Sequence, residues 1–119
     1  MPEFKEQPDS DEQINTILNP LVRNWFYSRF KEFSLPQKYG VTEIHSRQNV
    51  LISAPTGATK TLTAFLSVLN ELVDCSEKGK LEDKVYCVYI SPLKALNYDI
   101  EVNLQKPLKE MEEQSGKKL

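Results

Sequence analysis

The sequence predicts an α/β fold, a parallel sheet flanked by helices, and three observations carry that expectation. Val50-Leu51-Ile52 and residues 85–90 are continuous apolar runs, the second rich in β-branched and aromatic residues. Runs without polar alternation mark strands covered on both faces, as in a parallel sheet. Between them, Leu62, Phe65, Leu66, Leu69, Leu72 and Val73 recur at helical spacing and form one apolar stripe. The first run also leads into a loop of small residues, 53–61, where the helix begins. Strand, helix and strand make one βαβ unit, and its crossover is expected to be right-handed. A sheet of two strands is too small to stand alone, so the chain reads as cut rather than finished.

The other elements follow from caps and spacing. Residues 1–10 read as a flexible arm, and 11–18 as a short helix capped by Asp9 or Ser10. Asn19 caps a second helix, with Pro20 at its first position. Leu21, Val22, Trp25, Phe26 and Phe30 make its apolar face. The turn Phe33-Ser34-Leu35-Pro36-Gln37 opens a third short helix through Val41 and Ile44, which Gly40 weakens. Residues 76–83 form a polar loop containing Gly79. After Ser91-Pro92 comes a helix with Leu93, Leu96, Ile100 and Leu104, interrupted by Pro107. It resumes over 108–114 and stops at Gly116.

Composition excludes several classes. A chain of 119 residues holds one small domain. Its net charge of −2 gives no global electrostatic footprint for nucleic acid, so any such contact must come from a local patch. No apolar run approaches the roughly 20 residues that span a bilayer. The polar, acidic N-terminus is neither a signal nor a transit peptide, so a cytoplasmic protein is expected. Cys75 and Cys87 lack metal-ligand spacing and read as reduced packing thiols. His45, the only histidine, reads as a surface residue, Trp25 as core, and 109–113 as a solvated helix face.

The loop Ser53-Ala54-Pro55-Thr56-Gly57-Ala58-Thr59-Lys60-Thr61 carries the chemistry. Between a strand and a helix N-terminus, backbone N–H groups converge on phosphate oxygens and the helix dipole favours the anion. Lys60 would place its ammonium on the outer phosphates, and Thr61 would offer its hydroxyl to Mg²⁺. The pattern departs from the usual phosphate loop in two places. Thr59 stands where Gly normally precedes the Lys-Thr pair, and Ala54 stands at the first glycine position. A β-branched residue forced to positive φ would cost on the order of 1–2 kcal/mol. The loop alone is equally compatible with a turn over 55–58 and a helix capped by Thr59.

Two further segments decide between these readings. They are Phe33-Ser34-Leu35-Pro36-Gln37 before the loop and Ser91-Pro92-Leu93-Lys94-Ala95-Leu96-Asn97-Tyr98-Asp99-Ile100 after the second run. With Ala54-Pro55-Thr56-Gly57 and Lys60-Thr61, they resemble the first motifs of superfamily 2 helicases, in order and in register. The Ser-Pro-Leu-Lys-Ala-Leu-Asn run, with Asn49-Val50-Leu51-Ile52-Ser53, is most similar to the large helicase-related (Lhr) branch of DEAD/DEAH-box proteins. The resemblance spans residues 22–119.

The resemblance implies a partial RecA-like domain over residues 11–119, binding ATP and Mg²⁺. Gln37 would read the adenine edge, since an amide donates and accepts at once. The bland alternative for Gln37 is a helix-start residue bonded to backbone. Thr56, Gly57, Ala58, Thr59, Lys60 and Thr61 would cradle the phosphates, with Thr61 on the metal. Ser91, Pro92, Lys94, Leu96 and Asn97 would grip one DNA or RNA strand through its phosphates and sugars. Leu93 and Leu96 are also expected to serve the core, at least in part; Phe30 or Phe33 could pack near the base, with core packing the preferred reading for both.

By the same resemblance, the acidic box that holds Mg²⁺ and positions water is expected beyond Leu119. No catalytic residue is therefore assigned, and the expected activity is binding without a complete hydrolysis site. Two other readings compete. One is a non-catalytic module pairing with other helicase chains, or with itself, through an open sheet edge. The other is a small P-loop kinase, which the Gln37 and Ser91 segments argue against.

Overall fold

The computed structural model describes residues 3–53, 58–90 and 100–116. Five α-helices occupy them: α1 (Asp11–Ile17), α2 (Pro20–Arg29), α3 (Leu35–His45), α4 (Ala58–Glu77) and α5 (Lys106–Ser115). A π-helical turn, Glu101–Gln105, leads straight into α5.

The helix starts follow the capping residues. Ser10 opens α1 with a reciprocal box: its hydroxyl accepts from Gln13 N–H at 3.2 Å, and Gln13 Oε1 accepts from Ser10 N–H at 2.7 Å. Asn19 Oδ1 accepts from Leu21 N–H at 2.9 Å, and Pro20 takes the first position of α2. Pro107 does not break the last helix. The Lys106 N–H reaches back five residues to the Glu101 carbonyl, so the chain is already wound wide when it meets a residue with no N–H to give. Gly116 ends α5 at φ 70°, and its N–H donates to Glu112 O at 2.9 Å.

The end of α3 is less ordinary. Arg47 N–H donates to Ile44 O and Gln48 N–H to Glu43 O, both at 3.0 Å, the paired bonds of a left-handed helix stop. Arg47 occupies the left-handed position, at φ 66°, where glycine is usual. Its guanidinium is bonded to Glu71 on α4.

One core holds the helices together. The α4 stripe buries Leu62, Phe65, Leu66, Leu69 and Val73, with Leu72 half-buried. Ile14 and Leu18, Val22, Trp25 and Phe26, Phe33, Val41 and Met111 close over it from the other helices and their connections. Phe26 stacks on Phe33 at 4.3 Å and on Phe30 at 4.9 Å between ring centroids. Phe33 is core as expected, whereas Phe30 is 39% exposed. Trp25 is buried and His45 exposed, as read from the sequence. Residues 3–10 carry no regular structure but are tied to α3: Asp9 N–H donates to Lys38 O at 2.9 Å, and Lys5 pairs with Asp9 at 2.7 Å and Glu43 at 3.2 Å.

The expected parallel sheet is not formed: among the described residues there is no strand. Residues 50–52 and 85–90 lack the ladder bonds that define one, and the βαβ crossover falls with them. Leu51 is 95% exposed, Ile90 88%, Val85 78% and Val88 76%. The physical reason lies in the partners. The α4 stripe is satisfied by helices, and two short runs bury too little on each other to hold a ladder. Tyr89 meets α4 edge-on at Phe65, with 5.1 Å between centroids. Cys87 is exposed and Cys75 half-buried, so the packing role expected of both thiols fails for Cys87.

Candidate functional site

The candidate site residues that the structure describes lie at two helix starts. Gln37 is in the first turn of α3, only 2% exposed. Its Oε1 accepts the Ser34 backbone N–H at 2.8 Å. That bond anchors the helix start and uses part of what an amide offers, one acceptor oxygen and two N–H donors. Lys60 and Thr61 are in the first turn of α4, both half-buried. There the helix dipole favours an anion. Among the described residues, α3 and α4 pack most extensively, so the two helix starts belong to neighbouring elements.

Ala58 and Thr59 begin α4, so Thr59 has helical backbone. The positive φ that would penalise a β-branched residue does not arise at this position, and Thr59 sits inside the helix rather than capping it. Thr56 and Gly57 lie outside the described residues, as do Ser91, Pro92, Lys94, Leu96 and Asn97. Among the described residues, no three His, Cys, Asp or Glu side chains cluster as a metal site. No described helix is long and apolar enough to cross a membrane. The open sheet edge expected for self-association is absent, because there is no sheet among the described residues.

A shallow cleft lies elsewhere, between α3, α4 and the second apolar run. Ile44, Arg47, Ser67, Glu71, Tyr86 and Cys87 line part of it, and Gln37, Lys60 and Thr61 are not among its described lining residues. The hydrogen bond from Arg47 holds the Glu71 carboxyl below its ordinary range, against a weaker opposing push from burial. Lys78 does the same for Asp74, one turn further along α4.

Sequence reasoning missed residues that tie α4 to its neighbours, at the α1–α2 junction, at the end of α3 and beside Gly40. Asn70, Arg47 and Thr63 are anchors between elements, and Gly40 was read only as a weak point in α3. A glycine inside an otherwise helical pattern was the one available signal.

The DEAD/DEAH box helicase model matches residues 34–118, most of this chain. The chain is 53% identical over 110 residues to an ATP-dependent helicase Lhr-Core protein 2 of Thermococcus barophilus, covering 92% of this chain and 13% of that relative. To the ATP-dependent helicase Lhr-Core of Methanocaldococcus jannaschii it is 51% identical over 109 residues, again 92% of this chain and 13% of the relative. To an Lhr helicase/uracil glycosylase of Escherichia coli it is 36% identical over 109 residues, 87% of this chain and 7% of that protein. No solved structure matches. The family model covers both helix starts and the Ser91 segment, and the chain belongs to the DEAD/DEAH box helicase family.

Proposed function

We propose that these residues are the ATP-binding front of an ATP-dependent helicase, with residues 11–119 as its N-terminal helicase domain and 1–10 as an arm. Lys60 and Thr61 hold the outer phosphates and Mg²⁺, assisted by the backbone of Thr56, Gly57, Ala58 and Thr59. Gln37 reads the adenine edge. Ser91, Pro92, Lys94, Leu96 and Asn97 grip the backbone of a single DNA or RNA strand. The observation that carries this reading is the placement of Lys60 and Thr61 in the first turn of α4, within the family match. Thr61 supplies a hydroxyl and Lys60 a cation where the helix N-terminus already attracts phosphate.

The reading assigns none of these residues to activate water, so the activity proposed for them is binding. Hydrolysis needs a water-positioning group and a clamp on developing charge. Strand binding through phosphates releases counterions, so it must weaken steeply with salt. Fluorescence titration of a labelled single-stranded oligonucleotide, with and without MgATP, tests both halves. Salt-sensitive strand binding together with saturable MgATP binding is expected.

A second reading is favoured by one observation. Leu51, Val85, Val88 and Ile90 are large, apolar and at least 76% exposed. Such groups suit a module that pairs with other helicase chains. Concentration-dependent association in sedimentation, with no binding of MgATP or oligonucleotide, would support that reading instead.

A further inference from the structure

Gly40 lies inside α3, three residues after Gln37. Glycine within a helix costs about 0.5–1 kcal/mol relative to alanine, so its place there calls for a compensating reason. The packing supplies one. A Cβ at position 40 would stand 2.9 Å from Thr63 Cγ2 and 2.7 Å from Ile52 Cδ1. Both are closer than carbon atoms approach without displacement. Ile52 Cδ1 is the end of a half-buried side chain and can swing aside. Thr63 has less room: it is fully buried in α4, and its own helix confines its β-branched side chain to two rotamers. Any side chain at 40 would therefore push α3 away from α4.

The two ends of that contact are each one turn from a candidate ligand group. Gln37 precedes Gly40 by three residues, and Lys60 precedes Thr63 by three. At 1.5 Å per residue, each lies about 4.5 Å along its helix from the shared contact. Ile52 is the third partner, in the segment that enters the phosphate loop. From this arrangement we propose that Gly40 is a positioning residue for nucleotide. Its missing side chain sets the spacing between the helix that carries Gln37 and the helix that carries Lys60 and Thr61. The inference rests on the ATP-binding reading above and adds the residue that registers the base-reading group against the phosphate-holding groups.

A spacing device predicts a specific loss. Moving α3 back leaves Lys60 and Thr61 in place on α4, so triphosphate affinity should survive. The geometry between base and Gln37 should not, because orientation losses of this kind are large for small displacements. The test is calorimetric binding of MgATP and MgGTP to the 119-residue chain, compared with Gly40→Ala and with Gly40→Ala combined with Ile52→Val and Thr63→Ser. The combined variant deletes both clashing methyl groups and keeps the Thr63 hydroxyl. Gly40→Ala is expected to lower the ATP-over-GTP affinity ratio by about tenfold, the equivalent of ~1.4 kcal/mol, and the combined variant to restore it. Ile52→Ala, which loosens the same contact without adding bulk, is expected to lower the ratio less. It decides the matter if Gly40→Ala does not fold. A wild-type preference for ATP that neither Gly40→Ala nor Ile52→Ala changes would overturn the inference while leaving the ATP reading intact. A folded wild-type chain that binds neither nucleotide would overturn both, and one that binds the two equally would overturn the inference and the adenine role of Gln37.

Discussion

Asn70, buried in the middle of α4, accepts the backbone N–H of Asn19 through its side-chain oxygen. Its Nδ2 donates to the Ile17 carbonyl at 3.0 Å. One amide thus satisfies the last carbonyl of α1 and the N-cap amide of α2. Asn19 returns the contact, donating from Nδ2 to Glu77 Oε1 at 2.6 Å. The α1–α2 junction is therefore fixed to α4 by polar groups, at the edge of the apolar core.

Asn70→Ala should be among the costlier polar substitutions in the chain. It strands two backbone groups, each worth about 1–3 kcal/mol when left buried without a partner. A loss of about 2–3 kcal/mol in urea unfolding is expected. A loss below about 0.5 kcal/mol, the range of ordinary surface substitutions, would show that the junction does not depend on it.

Arg47 combines an unfavourable backbone with an ion pair, and two substitutions separate them. Arg47→Ala loses the Glu71 contact and keeps a side chain at φ 66°. Arg47→Gly loses the same contact and removes the backbone penalty. The glycine variant should be more stable than the alanine variant by roughly 1 kcal/mol. Equal stabilities in matched thermal melts would mean that the left-handed position is not strained.

Glu71 gives the fold an acid-sensitive component. Its folded carboxyl is held below the ordinary value by the Arg47 hydrogen bond, so the unfolded chain takes up the proton at higher pH than the folded one. The contribution is complete above the unfolded value, about 4.3. It is lost as pH falls through the lower, folded value. Glu71→Gln should lower Tm at neutral pH, and the gap from wild type should close on acidification. Salt should shrink the gap as well, because the pair is exposed. A gap that persists at acid pH would assign the effect to packing instead.

The aromatic stack distinguishes core from surface within a few residues. Phe33 is 2% exposed and Phe30 39%. Phe33→Ala should cost about 3–5 kcal/mol, the usual range for a buried phenylalanine. Phe30→Ala should cost roughly 1 kcal/mol. Similar losses in denaturant titrations would place both rings in the core.

How far the fold was legible depended on whether a signal was local. Ser10, Asn19, Pro20 and Gly116 announced helix ends by chemistry that acts within one turn, and the structure uses all four. The α4 stripe was equally clear, but a stripe says only that something covers it. Continuous apolar runs at 50–52 and 85–90 suggested a sheet, whereas helices cover the stripe and most of those runs stays exposed. Pairing depends on partners distant in sequence, which apolar character alone does not specify. At the candidate site, Gln37, Lys60 and Thr61 could be read from motif order, and they fall at two helix starts. Gly40 and Asn70 could not be read in the same way. Their effect depends on what lies across an interface, and residue type gives only its cost.

The central claim is that the α4 N-terminus holds nucleotide through Lys60. The most direct test is the heat of MgATP binding to this chain and to Lys60→Ala, with both shown to be folded by circular dichroism. Saturable binding that is lost or greatly weakened in Lys60→Ala is predicted. No binding by the folded wild-type chain, or equal affinity in the two, would contradict the claim.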